Sequence, residues 1–299
     1  MQTFMGVGKV AIEDVCARQV VVLGAPHATP YEPGKPSHSM DAPAAIRAAS
    51  AKFAHWRDHH DFDTGRALVP ASVSLVDAGD VAGAPDTPEA NRAAISAAVR
   101  TTLTAGAHPI VLGGDDSVPI PVFEACRNHG PIWIVQVDAH IDWRAERFGE
   151  PLGWSSPMRR ASEMAWVAGI VQVGVRGVGS ARAEDVAYAR DWGATIVTAR
   201  DIHTYGMAAA LSGVPDGARV YVTFDCDALD PSVMPGVMAQ SPGGLTYWQM
   251  IDLFDDIAPR CRVIGFNLVE LAPQCDLGGV SALTSVRVAC LAVSAVSRG

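Results

Sequence analysis

Eight short runs of Val, Ile, Leu and Phe recur along this chain, and most of them lack the polar alternation of a half-exposed strand. A strand that is apolar on both sides is typical of a parallel sheet with helices packed on both faces. The runs therefore predict the strands of one mainly parallel sheet. They cover residues 20–23, 73–76, 109–112, 132–137, 170–175, 195–198, 220–224 and 263–269.

Helical segments lie between these runs, and the alternation of strands and helices predicts an α/β fold. Thr87-Pro88-Glu89 is a helix start with Thr87 as the N-cap, and we expect this helix to end near Ala105. Another helix is predicted from Ser180 to about Gly193. Further helices are predicted over residues 43–56, 118–128, 246–257 and 280–296. No linker or repeat interrupts the pattern, so residues 1–299 are expected to form a single domain.

Two of the apolar runs continue directly into clusters of acidic residues. The first cluster holds Asp138, His140 and Asp142, and the second holds Asp225 and Asp227. Side chains two positions apart in an extended chain point the same way, so each cluster can converge on one point. Carboxylates at the end of a buried strand need a counter-charge, which a divalent metal ion or a pair of ions can supply.

A third acidic segment, Gly113-Gly114-Asp115-Asp116-Ser117, follows the run that ends at Leu112. Ligands of parallel sheets bind beyond the C-terminal ends of the strands, where all three segments lie. The loop-like residues 31–41 are expected on the rim of this pocket. The predicted metal ligands are Asp116, Asp138, His140, Asp142, Asp225 and Asp227.

This ligand set consists of oxygen atoms and one imidazole nitrogen. It favours Mn²⁺, with Ni²⁺, Co²⁺ or Fe²⁺ as alternatives, and it disfavours a thiolate zinc site. Six ligands are more than one open catalytic ion needs, and they fit two ions about 3.5–4 Å apart. Such a pair holds and acidifies a water, so the predicted reaction is metal-assisted hydrolysis.

The composition argues against several other classes of protein. The formal net charge is −9, and no cluster of Lys or Arg indicates a nucleic-acid surface. The six cysteines are scattered without a CxxC pair, as expected for free thiols in a reducing compartment. The N-terminus lacks a signal pattern, and no apolar run approaches about 20 residues. We therefore expect a cytoplasmic protein without a membrane segment.

The three acidic segments resemble the signature motifs of the ureohydrolase superfamily, which includes arginase and agmatinase. The first motif corresponds to residues 113–117, the second to residues 138–142, and the third to residues 225–230 with Pro231. Similarity to the agmatinase branch continues, in order, over nearly the whole chain. It covers residues 42–47, 77–81, 173–176, 235–236, 243–246 and 265–270.

The resemblance implies a three-layer α/β/α sandwich with a mainly parallel sheet of about eight strands, often assembled as a trimer or hexamer. It implies two divalent ions, Mn²⁺ first and Ni²⁺ or Co²⁺ as alternatives, whose hydroxide attacks a guanidinium carbon and releases urea and an amine. Glu270 matches the acid that holds the guanidinium group, and Glu270 and Asp142 are the expected catalytic residues. The resemblance implies that Asp138 and Asp225 bridge the two ions. It also implies that His140 and Asp227 bind one ion, and that Asp142 and Asp116 bind the other.

Two residues depart from the family pattern. The first motif normally has a histidine where this chain has Asp116, which adds a negative charge and changes the reach of the ligand. Trp154 stands where many members have a histidine that shuttles protons or contacts the substrate. A tryptophan cannot exchange a proton, but its ring can cover a cationic or planar substrate. We expect Asp116 to bind metal, with loop formation as the alternative, and Trp154 to bind substrate, with core packing as the alternative.

The predicted function is metal-dependent hydrolysis of a guanidino compound. Agmatine, a guanidino acid, free guanidine and a substituted guanidine or biguanide are all open as substrates, because no pair of residues that reads the substrate tail can be named. The alternative is a catalytically impaired subunit that partners an active paralogue in a hetero-oligomer, since both departures replace histidines. A single-zinc deacetylase-like use of the fold is a third alternative, against which the second acidic cluster and Glu270 argue.

Overall fold

One sheet of eight strands dominates the computed structural model, which describes residues 2–32, 34–179 and 181–298. The strands lie in the order β2-β1-β3-β8-β7-β4-β5-β6, and every neighbouring pair is parallel. All eight predicted strands are confirmed. Their bounds are β1 Gln19–Ala25, β2 Ser74–Asp80, β3 His108–Gly113, β4 Ile132–Val137, β5 Val167–Val175, β6 Thr195–Thr198, β7 Arg219–Asp225 and β8 Arg262–Val269.

Helices connect the strands and cover both faces of the sheet. Their bounds are α1 Ala42–Ser50, α2 Pro88–Thr104, α3 Pro119–Ala125, α4 Pro157–Ser162, α5 Ala183–Trp192, α6 Ala199–Tyr205, α7 Met207–Ala210, α8 Tyr247–Arg260 and α9 Val280–Val296. The short helices α4, α6 and α7 were not predicted, because four to seven residues carry too little hydrophobic periodicity. The predicted start of α5, Ser180, lies outside the described residues.

The N-terminus of α2 corrects one detail of the sequence prediction. The helix begins at Pro88 as expected, but the Thr87 hydroxyl does not accept a bond from the first turn. It donates instead to the carbonyl of Ala84 at 3.3 Å and to Asn91 Oδ1 at 3.1 Å. Thr87 therefore stabilises the preceding loop rather than the free N–H groups of the helix.

Two separate apolar cores make the protein a three-layer α/β/α sandwich. Along β1, Val20 and Val22 pack into the core under α1 and α6 to α9, whereas Val21 and Leu23 pack into the core under α2 to α5. Because successive side chains alternate between two buried faces, both sets are apolar. This explains why the predicted strands lack polar alternation.

A buried ion-pair cluster ties α1 to the edge strand β2. The Arg47 side chain, 1% exposed, lies 2.8 Å from one carboxylate oxygen of Asp77 and 3.0 Å from the other, and also bonds Asp80. Gly24 of β1 lies against this cluster, where a Cβ atom would be 1.7 Å from Asp80 Oδ1. The cluster anchors α1, and with it the end of the long loop that joins β1 to α1.

The register of the central strands brings the acidic segments together. Val137 of β4 pairs with Phe224 of β7, and Val269 of β8 pairs with Asp225. The residues that follow these strands therefore emerge at the same edge of the sheet. Within the part of the chain described, no helix has the length and apolarity needed to cross a bilayer.

Candidate metal centre

Four neighbouring strands, β3, β8, β7 and β4, deliver acidic side chains to one cavity. Asp116 follows β3, Glu270 follows β8, Asp225 ends β7 and Asp138 follows β4. The cavity has a volume of about 310 Å³, and its wall includes every predicted site residue except Asp138, which is 1% exposed. The structure therefore brings together the residues that the sequence motifs singled out.

Asp138, His140 and Asp227 form the first group that can hold a cation. His140 Nδ1 lies 3.1 Å from Asp227 Oδ2 and 3.4 Å from Asp138 Oδ1. One ligand atom of each residue falls within 4.8 Å of the others. Asp227 sits in the turn Cys226–Ala228, whose backbone carbonyls accept bonds from the Arg176 guanidinium. This turn is thus held in place from the end of β5.

Asp116, Asp138 and Asp225 form the second group, also with ligand atoms within 4.8 Å of one another. Asp138 belongs to both groups, as a residue that bridges two ions must. Asp116 Oδ2 is buried and has no hydrogen-bond partner among the described residues. A buried carboxylate oxygen without a donor is costly unless a cation binds it. The donor set fits two divalent ions with oxygen-rich coordination.

Asp142 lines the same cavity but belongs to neither group. Its Oδ2 accepts a 2.7 Å bond from Gln136 Nε2, which also donates to Asp138 Oδ2 at 2.7 Å. Its backbone lies in the left-handed region, with φ of +50°. An aspartate tolerates this region better than most residues, and such backbones cluster at functional sites. The role of Asp142 as a metal ligand stays a prediction.

A buried amide network supports Asp138 and Asp142 from below, and the sequence motifs did not reveal it. Gln172 of β5 donates to the side chain of Gln136 in β4, its register partner, and to the carbonyl of Ile141 at 2.8 Å. Trp143 Nε1 donates to Gln172 Oε1 at 2.7 Å. The sequence signal for this network is the pair of glutamines within two otherwise apolar strands, because buried polar groups need specific partners.

Burial and mutual repulsion dominate the electrostatics of the site. The pKa of Asp116 lies well above its usual range, first because of burial and then because of the charges of Asp142 and Asp138. At His140 burial has the opposite effect and lowers the pKa. The hydrogen bonds to Asp138 and Asp227 outweigh burial and raise the pKa of His140 to about 12. The carboxyl groups whose pKa is raised chiefly by burial are Asp116, Asp138, Asp142 and Asp225.

Glu270 lies in the same cavity beside the backbone of Asp116, and a histidine from the loop between β1 and α1 contacts it. The Asp116 N–H donates to Glu270 Oε1 at 2.8 Å, and His38 Nε2 lies 2.5 Å from Oε2. Burial lowers the pKa of His38, but the hydrogen bond and charge of Glu270 outweigh this and the pKa is raised. No spacing pattern marked His38, although residues 31–41 were predicted to reach the rim. An alternative interpretation of Glu270 from the sequence is a buried structural acid paired with an arginine. Within the part of the chain described, its ion-pair partner is His38 and no Arg pairs with it.

Trp154 stands on the cavity wall and is half-buried. Its ring centroid lies 4.0 Å from that of Tyr31 and 5.6 Å from that of His38, edge to face with the imidazole. The Ser155 N–H donates to Tyr31 Oη at 2.9 Å, which fixes the aromatic pair. The indole therefore faces the cavity beside His38 instead of filling the core of the sandwich.

Two arginines complete the wall, and sequence reasoning named neither. Arg144 and Arg147 both line the cavity and are half-buried. They follow Asp142 by two and five positions, but the loop must fold back before both guanidinium groups face the same space. A short Lys or Arg cluster would have been a signal, whereas these two are separated by Ala145 and Glu146.

The fold and the acidic cavity together define a ureohydrolase-type α/β protein. The model of the arginase family matches residues 18–294. The chain belongs to the arginase family, and its relatives place it in the agmatinase-like branch of the ureohydrolases.

Three comparisons illustrate the relationship. The chain is 32% identical to the human mitochondrial guanidino acid hydrolase, in an alignment that covers 65% of this chain and 56% of the relative. The chain thus matches little more than half of that relative's length. It is 29% identical to the agmatinase of Pyrococcus horikoshii, over 92% of this chain and 91% of the relative. The solved structure of proclavaminate amidinohydrolase from Streptomyces clavuligerus superposes with a TM-score of 0.83 at 26% identity, covering 100% of this chain and 97% of that one.

Metal removal is expected to destabilise the protein, and more strongly at higher pH. The carboxyl groups with raised pKa keep protons in the folded chain that the unfolded chain releases, so metal-free stability falls as pH rises above the usual carboxyl range. His140, with its pKa raised from 6.5 to about 12, acts in the same direction above neutral pH. A bound ion removes this repulsion and adds about 2.7 kcal/mol at one hundred times its Kd.

Thermal unfolding with Mn²⁺ and with EDTA, at about pH 5.5 and about pH 8, measures this effect. The difference in Tm between the two forms should widen at the higher pH. Equal differences at both pH values would contradict the assignment of the buried acids to a metal centre.

The substitution Asp116→His should change the metal preference of the chain without unfolding it. An imidazole replaces an oxygen ligand and removes a negative charge, so affinity for Ni²⁺ or Co²⁺ should rise relative to Mn²⁺. Calorimetric metal titration measures this, with Asp58→His at an exposed position as the control for an added imidazole. A titration identical to that of the unsubstituted chain would remove Asp116 from the ligand set.

Proposed function

We propose that the chain is a binuclear metal-dependent hydrolase that cleaves a C–N bond of a guanidino compound and releases urea and an amine. The observation that carries the proposal is the convergence of two overlapping cation-binding groups with Glu270 in one cavity. Relatives in the arginase family include a guanidino acid hydrolase and an agmatinase, which supports the same reaction class.

When bound, two divalent ions lower the pKa of a water enough to supply hydroxide near neutral pH. In the proposed arrangement, His140 and Asp227 would hold one ion, Asp116 and Asp142 would hold the other, and Asp138 and Asp225 would complete the site. Asp138 belongs to both cation-binding groups, whereas Asp225 belongs only to the group that contains Asp116. The ion beside Asp116 would have only carboxylate ligands, which favours a hard cation such as Mn²⁺.

Glu270 is proposed to hold the guanidinium group of the substrate. Its carboxylate is oriented by the Asp116 N–H at 2.8 Å, and its backbone φ of +66° directs the side chain across the cavity. A glutamate in the left-handed region is strained, and this strain is typical of functional positions. A planar cation with paired N–H donors suits a carboxylate held in this way.

His38 is proposed to carry protons during the reaction. Its Nε2 lies 2.5 Å from Glu270 Oε2, so the ring stands beside the expected position of the guanidinium group. The hydrogen bond and charge of Glu270 raise the pKa of His38, which favours the protonated ring, and Nε2 can donate a proton to the leaving amine. His38 thereby supplies the imidazole that the family pattern places at the position of Trp154.

The second candidate function is an impaired subunit of a hetero-oligomer. Asp116 and Trp154 favour it, because each replaces a histidine of the family pattern. The cation-binding groups argue against it, since an inactive subunit has no need of them. His38 weakens it further, because an imidazole is still available beside Glu270.

Purified chain loaded with Mn²⁺, Ni²⁺ or Co²⁺ should bind about two ions and release urea from at least one guanidino compound. Metal analysis, native mass and a urea assay over a panel of guanidino compounds test this, and the native mass should correspond to a trimer or hexamer. Fewer than about one ion with no turnover would favour the impaired subunit. One tightly bound Zn²⁺ with amide hydrolysis would favour the deacetylase-like alternative.

The substitution His38→Gln should lower kcat by about a hundredfold while the metal content stays unchanged. Glutamine can still bond Glu270, so loss of kcat with little change in KM would separate proton transfer from positioning. The decline of kcat above the raised pKa of His38 should also disappear from the pH profile.

His60→Gln is the control, because His60 is exposed on the hairpin of residues 60–67. Added imidazole should restore part of the activity of a His38→Ala variant, which a purely structural role would not allow. Full activity of His38→Gln across the pH range would rule out the proposed role.

A further inference from the structure

We propose that the substrate is a guanidino acid, whose carboxylate binds Arg147 at the mouth of the cavity. This inference rests on the proposed guanidino hydrolysis and narrows it to one substrate class. It names a residue that binds the tail of the substrate, which the sequence motifs did not identify.

Arg147 is held as a cation that faces the cavity. Its guanidinium carbon lies 5.4 Å from the ring centroid of Tyr31 and 5.1 Å from that of Phe148. These rings are packed edge to face, 5.9 Å apart, and they fix the direction of the side chain. Among the described residues no carboxylate lies within 4 Å of this guanidinium group. The aromatic contacts stabilise the charge but leave its N–H donors for a ligand.

Arg144 brings a second cation to the same wall. Its Nη2 donates to the carbonyl of Gly179 at 2.9 Å, and its backbone N–H donates to Ser155 at 3.0 Å. The bond to Gly179 ties the side chain to the loop after β5. Arg144 thereby adds positive charge to the wall on which Arg147 lies.

The charges are therefore separated along the cavity. The acidic ligands are buried and the Glu270 side chain is 12% exposed, so they form the floor, which suits cations and the guanidinium group. Arg144 and Arg147 are half-buried, and Arg147 contacts Phe148, which is 80% exposed, so the two arginines lie at the mouth. Met238, which is 57% exposed, also lines the cavity and offers an apolar contact to a methylene chain. A guanidino acid has a cation at one end and an anion at the other, matching this order. The terminal ammonium of agmatine would meet two like charges at the mouth.

Three substrates with related chains isolate the effect of the tail charge. These are 5-guanidinovalerate, with a carboxylate tail, agmatine, with an ammonium tail on the same number of methylenes, and the neutral butylguanidine. With the Mn²⁺-loaded chain, kcat/KM should be at least about tenfold higher for the acid than for agmatine, as one charged hydrogen bond provides. The KM for the acid should also rise with ionic strength, because the contact is electrostatic.

The substitution Arg147→Gln should raise KM for 5-guanidinovalerate by about tenfold and leave KM for butylguanidine within about twofold. The substitution Arg147→Glu should shift the preference towards agmatine. Arg127→Gln is the matched control, because Arg127 also stacks on an aromatic ring, 4.2 Å from the Trp166 centroid, but does not line this cavity. Thermal unfolding of each variant excludes a general loss of structure.

Each outcome separates the inference from the proposed function. If the unsubstituted chain hydrolyses agmatine or butylguanidine but not the acid, the tail assignment is wrong and guanidino hydrolysis stands. Equal losses for the acid and for butylguanidine in Arg147→Gln would likewise overturn the tail assignment. No turnover of any guanidino compound with metal bound would overturn the proposed function and this inference with it.

Discussion

The mutual repulsion of buried acidic side chains at the ends of four neighbouring strands is the constraint on which the rest of the site depends. Because β3, β8, β7 and β4 are adjacent and parallel, the acids that follow them share one small cavity. Burial and like charges both oppose their ionisation, and the bonds that Gln136 donates to Asp138 and Asp142 carry no compensating charge. Divalent cations would relieve this repulsion. Since Asp138 belongs to both ligand groups, the two cation positions would be coupled in affinity.

The sheet and its acidic edge could be predicted because each depends on short-range patterns. Apolar runs identify buried parallel strands, and an acid directly after such a run must lie at the edge of the sheet. Short elements such as α7 (Met207–Ala210) could not be found, because one turn of helix is stabilised by its surroundings rather than by its own sequence. The hydrogen bond of the Thr87 hydroxyl could not be predicted for the same reason, because it donates to the Ala84 carbonyl in the preceding loop instead of capping α2.

The contacts between distant loops could not be predicted at all. His38 and Glu270 lie 232 positions apart, and nothing local to either residue indicates the other. The family pattern places a histidine at one position in the sequence, and this chain has Trp154 there. A three-dimensional site requires only that an imidazole reach the cavity, and the loop before α1 provides one. The two departures are therefore not equivalent: an imidazole, His38, still reaches the cavity that Trp154 lines, whereas Asp116 replaces the histidine of the family pattern by a carboxylate.

The segment between β4 and α4 contains residues placed by the strand register and residues placed by contacts between loops. It starts with Asp138, His140 and Asp142 at the floor of the cavity and continues through Arg144 and Arg147 to Trp154 at its wall. The floor is fixed by strand register and by the buried glutamines beneath it, so its chemistry tolerates little change. The wall is held by loop contacts, chiefly aromatic rings and backbone carbonyls, which can vary without disturbing the sheet. Under the proposed function, reaction type and substrate preference would depend on different physical interactions within about twenty consecutive residues, so the substrate tail could change while the residues at the floor stay in place.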